Sequence, residues 1–229
     1  MGSGVASSYG EDFSDFNSIL MKAWISLLAV LMIAEAATFA LVPPFAGEKV
    51  YAIGDAVVDF KLKNVDGRLV SLSDYRNGKG VILVFTANHC PFSKAYEERI
   101  MALDRKYAVA GFPVIAIQPN DPAAYSEDSF ENMKIRAQEK NYSFPYLSDE
   151  SQTVTHVFGA TRTPEVFILK RSGDRFTIEY TGSIDDSPQI PSDVRRRYVE
   201  EAVNNLLLGR PVVLTTTKAI GCAIKWKSI

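Results

Sequence analysis

A short apolar run at residues 81–85 is a clear feature of the hydrophobic pattern. A continuous apolar run of this length predicts a strand that is buried on both faces. After Pro91 the pattern changes to helical spacing, because apolar side chains recur on one face: Phe92, Tyr96, Ile100, Leu103 and Tyr107. The pattern therefore predicts a strand, a short junction and a helix with one buried side.

The segments on either side of this unit predict further strands and helices. An N-terminal β-hairpin is predicted from 57–62 and 69–70, which flank a turn at 64–67. Four elements follow the first helix: a strand at 112–117, a polar helix at about 127–140, an extended piece at 144–147 and a short helix at 154–158. Gly159 is placed to end the short helix.

The last part of the pattern predicts a second hairpin and a closing helix. Strands at 164–169 and 176–180 are joined by a turn that contains a glycine. The closing helix is predicted to begin after Ser192 as its cap and to bury four side chains: Val194, Tyr198, Ala202 and Leu206. Gly209 and Pro211 are expected to end it.

This order of elements predicts an α/β fold with a central mixed sheet flanked by helices. The fold carries an N-terminal β-hairpin at one end of the sequence and a C-terminal tail at the other. We place the folded domain at 50–209 and the tail at 210–229. The proline-containing segment 41–49 is predicted to be a linker.

Residues 21–40 have the layout of a cleavable signal peptide. Lys22 precedes an uncharged apolar run, and small residues then offer cleavage after Ala36 or Ala40. A cleaved signal predicts a periplasmic or secreted protein in an oxidising compartment. The alternative is an uncleaved membrane anchor, although Glu35 interrupts the run short of the ~18 residues that a span needs.

Residues 1–20 form a leader that does not fit this layout. Their charged side chains are all acidic, which is the wrong sign for the start of a signal peptide: Glu11, Asp12 and Asp15. Met21 offers a second translation start that would leave a good signal peptide.

Composition and charge narrow the classes of partner. A formal net charge of −2 and the lack of a long basic run argue against nucleic acid as a partner. Two cysteines are too few for a disulfide scaffold, and with only two histidines a stable metal site is not expected.

Cys90 is the first candidate for chemistry, because it lies where the predicted strand gives way to the predicted helix. Free amides and the positive end of the helix dipole favour a thiolate there, and the thiolate is the reactive form. Pro91 fits the first helical turn. The structural alternative is an inert buried cysteine.

The sequence around Cys90 resembles the active-site region of the thioredoxin superfamily. Residues 84–90 are similar to the strand and the approach to the nucleophile, and Thr163-Pro164 is similar to the cis-proline loop beside it. A narrower resemblance joins 88–92, 144–147, 162–167 and 221–227 to bacterial redoxin-type proteins of the alkyl hydroperoxide reductase and thiol-specific antioxidant (AhpC/TSA) set.

The resemblance implies a thioredoxin-like fold, a nucleophilic Cys90 and a substrate site lined by Pro91, Thr163 and Pro164. His89 is expected to stabilise the thiolate or relay a proton, or else to face solvent. Arg162 is expected to lower the pKa of Cys90, or else to be a surface residue. If the proline is cis, the Thr163 backbone is exposed for pairing with an extended substrate chain.

The sequence departs from the thioredoxin pattern and from the peroxiredoxin pattern, and each departure restricts the possible mechanism. Ser93 stands where thioredoxins carry their second cysteine, so a disulfide within the helix is impossible. Ala87 and Leu83 occupy the positions where peroxiredoxins usually carry a hydroxyl residue and a proline. Cys222 is the other cysteine of the chain, and it is either a resolving partner for Cys90 or a structural thiol that never meets it.

The sequence thus supports a thiol-based oxidoreductase that uses Cys90 on a disulfide or a hydroperoxide, without a cofactor. Its expected partners are a protein disulfide or a small peroxide and an external thiol reductant. Two alternatives remain open, a peroxiredoxin-like thiol peroxidase with Cys222 as resolving cysteine and a non-catalytic binding domain of the same fold.

Overall fold

A computed structural model describes residues 50–228 of the chain. The leader, the signal peptide, the linker and the alternative membrane anchor predicted within 1–49 lie outside these residues. In the described part, the strands are β1 (Ala56–Val57), β2 (Lys61–Asn64), β3 (Leu69–Ser71), β4 (Gly80–Phe85), β5 (Val114–Gln118), β6 (Tyr146–Ser148), β7 (Arg162–Thr163), β8 (Glu165–Ser172), β9 (Arg175–Gly182) and β10 (Cys222–Ala223). The helices are α1 (Pro91–Tyr107), α2 (Phe130–Glu139), α3 (Thr153–Phe158) and α4 (Tyr198–Leu207).

Eight of these strands form one mixed sheet in the order β1-β9-β8-β4-β5-β6-β2-β3. The central strand β4 pairs parallel to β5 and antiparallel to β8. The remaining two strands, β7 and β10, pair antiparallel beside it and form a small second sheet. The fold is thioredoxin-like, as predicted.

Strand β4 is at the centre because all six of its residues are buried. Its alternate side chains enter two apolar clusters, one on each face of the sheet. Helices α1, α2 and α4 contribute to the cluster that contains Ile82 and Val84. The cluster with Val81, Leu83 and Phe85 takes side chains from α3 and from the tail.

Two predicted elements differ in the structure. The single strand predicted at 57–62 is two strands, because β1 pairs with β9 at one edge of the sheet while β2 pairs with β6 near the other. The closing helix begins at Tyr198 rather than after Ser192. The Asp186 carboxylate accepts the backbone N–H groups of Arg195 and Arg196, which holds that segment out of the helix.

The described residues include no helix that is both long enough and apolar enough to span a membrane. The tail predicted at 210–229 packs on the domain, and Val212 and Ile224 are its buried apolar side chains. Four other apolar residues of the tail are more than one-third exposed: Val213, Leu214, Ile220 and Trp226. Hydrogen bonds therefore carry much of the attachment of the tail.

Candidate active site

Cys90 caps the N-terminus of α1, and Pro91 is the first residue of that helix, as predicted. The side chain is completely buried. Its Sγ donates a hydrogen bond to the Thr163 carbonyl at 3.0 Å, which ties the start of the helix to the loop before β8. Ser93 stands at the position of the second thioredoxin cysteine, and its hydroxyl oxygen accepts a hydrogen bond from the Ala87 amide at 3.3 Å.

The surroundings of Cys90 favour the thiolate. Burial alone would raise the pKa of Cys90, but hydrogen bonds from the Cys222 side chain, the Ser93 backbone and the Cys222 backbone outweigh it. The net effect lowers the pKa of Cys90 below its ordinary value. Burial, together with the hydrogen bond and the charge of Cys90, raises the pKa of Cys222 to about 12.

The loop beside Cys90 is the predicted cis-proline loop, since the Thr163–Pro164 peptide bond is cis. Glu165, which follows the proline, shapes this loop by accepting the backbone amides of Thr161 at 2.8 Å and Arg162 at 3.1 Å. Burial raises the pKa of Glu165 despite these hydrogen bonds.

The edge of the cis-proline loop is not exposed, and our expectation of an open substrate edge is wrong for this structure. Strand β10 of the tail pairs antiparallel with β7, and Cys222 lies opposite Thr163. Gly221 makes this approach possible, because a Cβ there would lie 2.1 Å from the Thr163 carbonyl oxygen. The tail thus occupies the position that we assigned to an extended substrate chain.

The tail is attached on both sides of Cys222. Before it, the Thr217 amide donates to the Thr181 carbonyl at 3.0 Å. After it, the Ile224 amide donates to the Thr161 carbonyl at 3.1 Å, and the Ile224 side chain is buried. Lys225 continues the attachment, since its carbonyl accepts the Asp121 amide at 2.8 Å.

The His89 side chain contacts Asp128, an acidic residue that the sequence pattern did not indicate. Its Nδ1 lies 2.6 Å from Asp128 Oδ2, and its ring stacks on Tyr125 with centroids 4.0 Å apart. Because a carboxylate only accepts, Nδ1 carries the hydrogen of this contact. The observed partner of His89 is therefore Asp128, whereas a role toward Cys90 stays a prediction.

Asp128 joins the Cys90 loop to the tail. Its fully buried carboxylate also accepts the amide of Asn88 at 2.8 Å and the side-chain amide of Asn120 at 2.8 Å. Asn120 in turn accepts the Lys225 amide at 2.8 Å. Asn120 was foreseeable, because it follows β5, whose carboxyl end lies beside that of the parallel strand β4. Asp128 lies in a polar run before α2 and gives no such signal.

Arg162 is exposed, and its guanidinium donates to the Gly221 carbonyl at 3.3 Å. The hydrogen bonds that lower the pKa of Cys90 come instead from Cys222 and the Ser93 backbone. The structure thus places Arg162 against the tail, and its effect on Cys90 remains a prediction. Among residues 50–228, no group of three or more histidine, cysteine or acidic side chains is arranged to hold a metal ion.

Comparison with known proteins agrees with this geometry. The model of the AhpC/TSA family matches residues 53–181. The chain belongs to the AhpC/TSA family. This AhpC/TSA member is 30% identical to the thiol-disulfide oxidoreductase ResA of Oceanobacillus iheyensis, over 63% of this chain and 74% of that protein. It is also 30% identical to the chloroplastic peroxiredoxin Q of Triticum aestivum, over 52% of this chain and 55% of that protein.

Among solved structures, an uncharacterized conserved protein from Geobacillus kaustophilus is similar to the AhpC/TSA member along most of both chains. The sequences are 38% identical, the TM-score is 0.72, and the match covers 78% of this chain and 94% of the other. Together with the family, these relatives establish the chain as a thiol-based oxidoreductase and therefore as an enzyme. The non-catalytic alternative is accordingly set aside.

Proposed function

We propose that this enzyme cycles between a dithiol and an internal Cys90–Cys222 disulfide, with Cys90 as the attacking thiolate. One observation carries the proposal: β10 sets Cys222 directly opposite Thr163, the residue whose carbonyl accepts the hydrogen bond of the Cys90 sulfur at 3.0 Å. A resolving thiol must be able to reach the nucleophile, and this pairing supports Cys222 in that role.

A hydroperoxide is the oxidant that the site favours. Cys90 is sealed from solvent, and the Thr163 backbone is already paired with the tail. A small peroxide needs only a local opening of this cover, whereas a protein disulfide needs the whole strand displaced. We expect a peroxide reaction faster than that of a free thiol, because the pKa of Cys90 is lowered. The usual peroxiredoxin hydroxyl contact is absent, because Ala87 stands three residues before Cys90.

The cycle needs these two cysteines, a peroxide as oxidant and an external thiol as reductant. The Cys90 thiolate attacks a peroxide oxygen, the O–O bond breaks, and the departing alkoxide takes a proton to become an alcohol. Cys90 is then a sulfenic acid. The Cys222 sulfur attacks it, the S–S bond forms, and the hydroxyl leaves as water with the Cys222 proton. An external thiol later returns two electrons to the disulfide.

The mass of the oxidised protein after alkylation tests the internal disulfide. Wild-type protein treated with one equivalent of hydrogen peroxide should take up no alkylating reagent and should yield a linked pair of peptides containing Cys90 and Cys222. C222S should stop at a trappable sulfenic acid on Cys90. Two alkylated cysteines in the treated wild-type protein would show that the proposed couple does not form.

Stopped-flow mixing tests the choice of oxidant. Sulfenate formation in C222S should exceed the rate of a free thiol with the same peroxide. The control is a small aromatic disulfide offered to the same variant. A peroxide rate no higher than that of a free thiol, together with rapid exchange with the disulfide, would identify a thiol-disulfide oxidoreductase instead.

We further propose that the protein is exported, on the basis of the signal-like residues 21–40. N-terminal sequencing of protein recovered from the extracytoplasmic fraction should begin after Ala36 or Ala40. Recovery in the membrane fraction with residues 21–40 intact would instead support the uncleaved anchor.

A further inference from the structure

We propose that a cavity between α1, the loop after β9 and the start of α4 is a binding site for inorganic phosphate. The cavity has a volume of about 110 Å³. Neither cysteine is among the described residues that line it, so the inference goes beyond the proposed redox cycle and is independent of it. Its charged walls consist of five side chains: Arg99, Lys106, Asp185, Arg197 and Glu200.

The walls of this cavity carry more positive than negative charge. Three cationic and two anionic side chains line it, which leaves an excess of one positive charge. The buried Asp185 carboxylate is already compensated within the protein. It accepts two hydrogen bonds from Arg99 Nη1, at 2.7 and 2.9 Å, and further ones from the Tyr96 hydroxyl and the Ser187 amide. A ligand therefore meets mainly the cations.

Arg99 contributes a buried donor that the protein leaves unpaired. The side chain is 13% exposed, and its terminal nitrogens donate to four acceptors: Asp185 and the carbonyls of Ala95, Ser187 and Pro188. Its Nε is buried and has no hydrogen-bond partner among the described residues. A buried N–H without an acceptor costs free energy, so this position favours an oxygen atom supplied by a ligand.

Lys106 and Arg197 bring further donors to the cavity. Both side chains are about half exposed, so an ion can reach them from solvent. Lys106 pairs with Glu200, whereas Arg197 approaches the same carboxylate only to 3.8 Å. This long contact leaves guanidinium N–H groups available to a ligand. Helix α4 also begins here without a side-chain cap, and the positive end of its dipole favours an anion.

The size of the cavity suits a small oxyanion. An apolar cavity of about 150 Å³ holds benzene, which has six heavy atoms. A cavity of about 110 Å³ is therefore large enough for the five heavy atoms of phosphate. Arginine, lysine and the N-terminus of a helix are the groups with which proteins bind phosphate oxygens.

Glu200 gives the site a preference for free phosphate. Its carboxylate is partly exposed and can only accept hydrogen bonds. Inorganic phosphate near neutral pH still carries one proton that it can donate to this carboxylate. Sulfate carries none, and a phosphate monoester has lost most of its remaining proton because its second pKa is about 6. We therefore expect both to bind more weakly than inorganic phosphate.

The test follows the Arg99 Nε–H signal by NMR while inorganic phosphate is added to the ¹⁵N-labelled protein at constant ionic strength. The signal is identified by its loss in Arg99→Lys. We expect a saturable shift at millimolar phosphate and at least threefold weaker binding of sulfate and of glycerol 3-phosphate. A signal that does not move would mean that only water occupies the cavity, and it would overturn the proposal.

Variants at the exposed rim test the site without disturbing the buried Arg99. Arg197→Ala should weaken phosphate binding at least tenfold. Arg195→Ala, at an exposed position of the same segment that does not line the cavity, is the matched control and should bind as the wild type does. Equal affinities in these two variants would reduce the effect to general charge attraction and overturn the site.

A third variant tests the selectivity. Glu200→Gln replaces the acceptor by a group that can also donate, so the preference for phosphate over sulfate should disappear. A preference that persists in this variant would overturn the role of Glu200.

Discussion

Asp128 shows how a single buried carboxylate can position a nucleophile without touching it. It accepts the amides of Asn88 and His89, the Nδ1 of His89 and the side-chain amide of Asn120. These donors come from the segment immediately before Cys90 and from the loop that binds the tail. Such a site stabilises the fold only while every partner is present, because each buried group would otherwise be left unpaired.

Replacing Asp128 with asparagine is predicted to destabilise the protein. The amide of the new side chain cannot accept in place of one carboxylate oxygen, so buried donors lose their partner at a cost of about 2 kcal/mol. Urea unfolding should show this loss in the free energy of unfolding. Glu127→Gln, at the adjacent exposed position, should change it by less than ~0.5 kcal/mol. Equal effects of the two substitutions would contradict the role of Asp128.

The hydrogen bonds to Cys90 predict its pH profile. In the wild-type protein its reaction with iodoacetamide should have an apparent pKa below that of a free thiol, because Cys222 and Ser93 stabilise the thiolate more than burial destabilises it. Cys222→Ala removes the side-chain donor and should raise this apparent pKa. Arg162→Ala should leave it unchanged, because the guanidinium is directed to the Gly221 carbonyl. A rise in Arg162→Ala but not in Cys222→Ala would reverse this assignment.

At the level of single residues, the local sequence pattern identified the nucleophilic cysteine but not the buried acidic residues that hold its surroundings in place. Cys90 and Pro91 are visible in the sequence because a strand-to-helix junction is a local pattern. Asp128 and Glu165 are not, because their roles depend on amides that tertiary structure brings to them. His89 was noticed, but its partner Asp128 is distant in sequence and no spacing rule indicates it.

The element that decides access to the site is a strand of two residues, β10. Two residues form a weak strand, and the attachment therefore depends on what flanks them. Ile224 is 5% exposed and enters the apolar cluster on the α3 face of the sheet, whereas Ile220 is 44% exposed. The two isoleucines lie on either side of Cys222 and provide a matched pair for testing the attachment.

Truncating Ile224 is predicted to open the site. Ile224→Ala should weaken docking of the tail by about 2 kcal/mol, which is a lower bound for removing a buried isoleucine side chain. Reaction of reduced Cys90 with a bulky aromatic disulfide should then accelerate by more than tenfold. Ile220→Ala should accelerate it less than threefold. Similar rates in both variants would show that the tail does not limit access.

Long elements with a regular pattern were predictable, and short ones were not. The apolar run of β4 and the helical spacing of α1 depend on neighbouring residues only, so both were predicted. Strand β10 forms because Gly221 can approach the Thr163 carbonyl, which is a contact between distant segments. The start of α4 depends likewise on Asp186, which binds amides nine and ten residues further along the chain.

Buried tyrosines give the whole molecule a sensitivity to alkaline pH. Burial is the main cause that raises the pKa of six phenols: Tyr75, Tyr96, Tyr107, Tyr142, Tyr146 and Tyr180. The pKa of Tyr75 is raised to about 12. A phenol whose pKa is higher in the folded protein than the unfolded value of about 10 stabilises the fold. This contribution is fully present below about pH 10 and is lost as the pH rises through the folded-state pKa.

The free energy of unfolding is therefore predicted to fall steeply above about pH 10. Tyrosinate absorbance at high pH should appear together with the loss of circular dichroism. Tyr180→Phe removes one buried titrating group and should reduce the slope of stability against pH. Tyr125→Phe, at a ring that is 41% exposed, should leave the slope unchanged. Full titration of the tyrosines in the folded protein would contradict the prediction.

The pairing of Cys222 with Thr163 has a consequence for the redox potential. A docked tail keeps the second thiol at a high effective concentration beside the first, so the free energy of docking contributes to the equilibrium between dithiol and disulfide. About three-quarters of the described residues lie between the two cysteines in sequence, and closing so long a loop restricts the unfolded chain. An oxidised molecule should consequently resist thermal unfolding and proteolysis more than a reduced one.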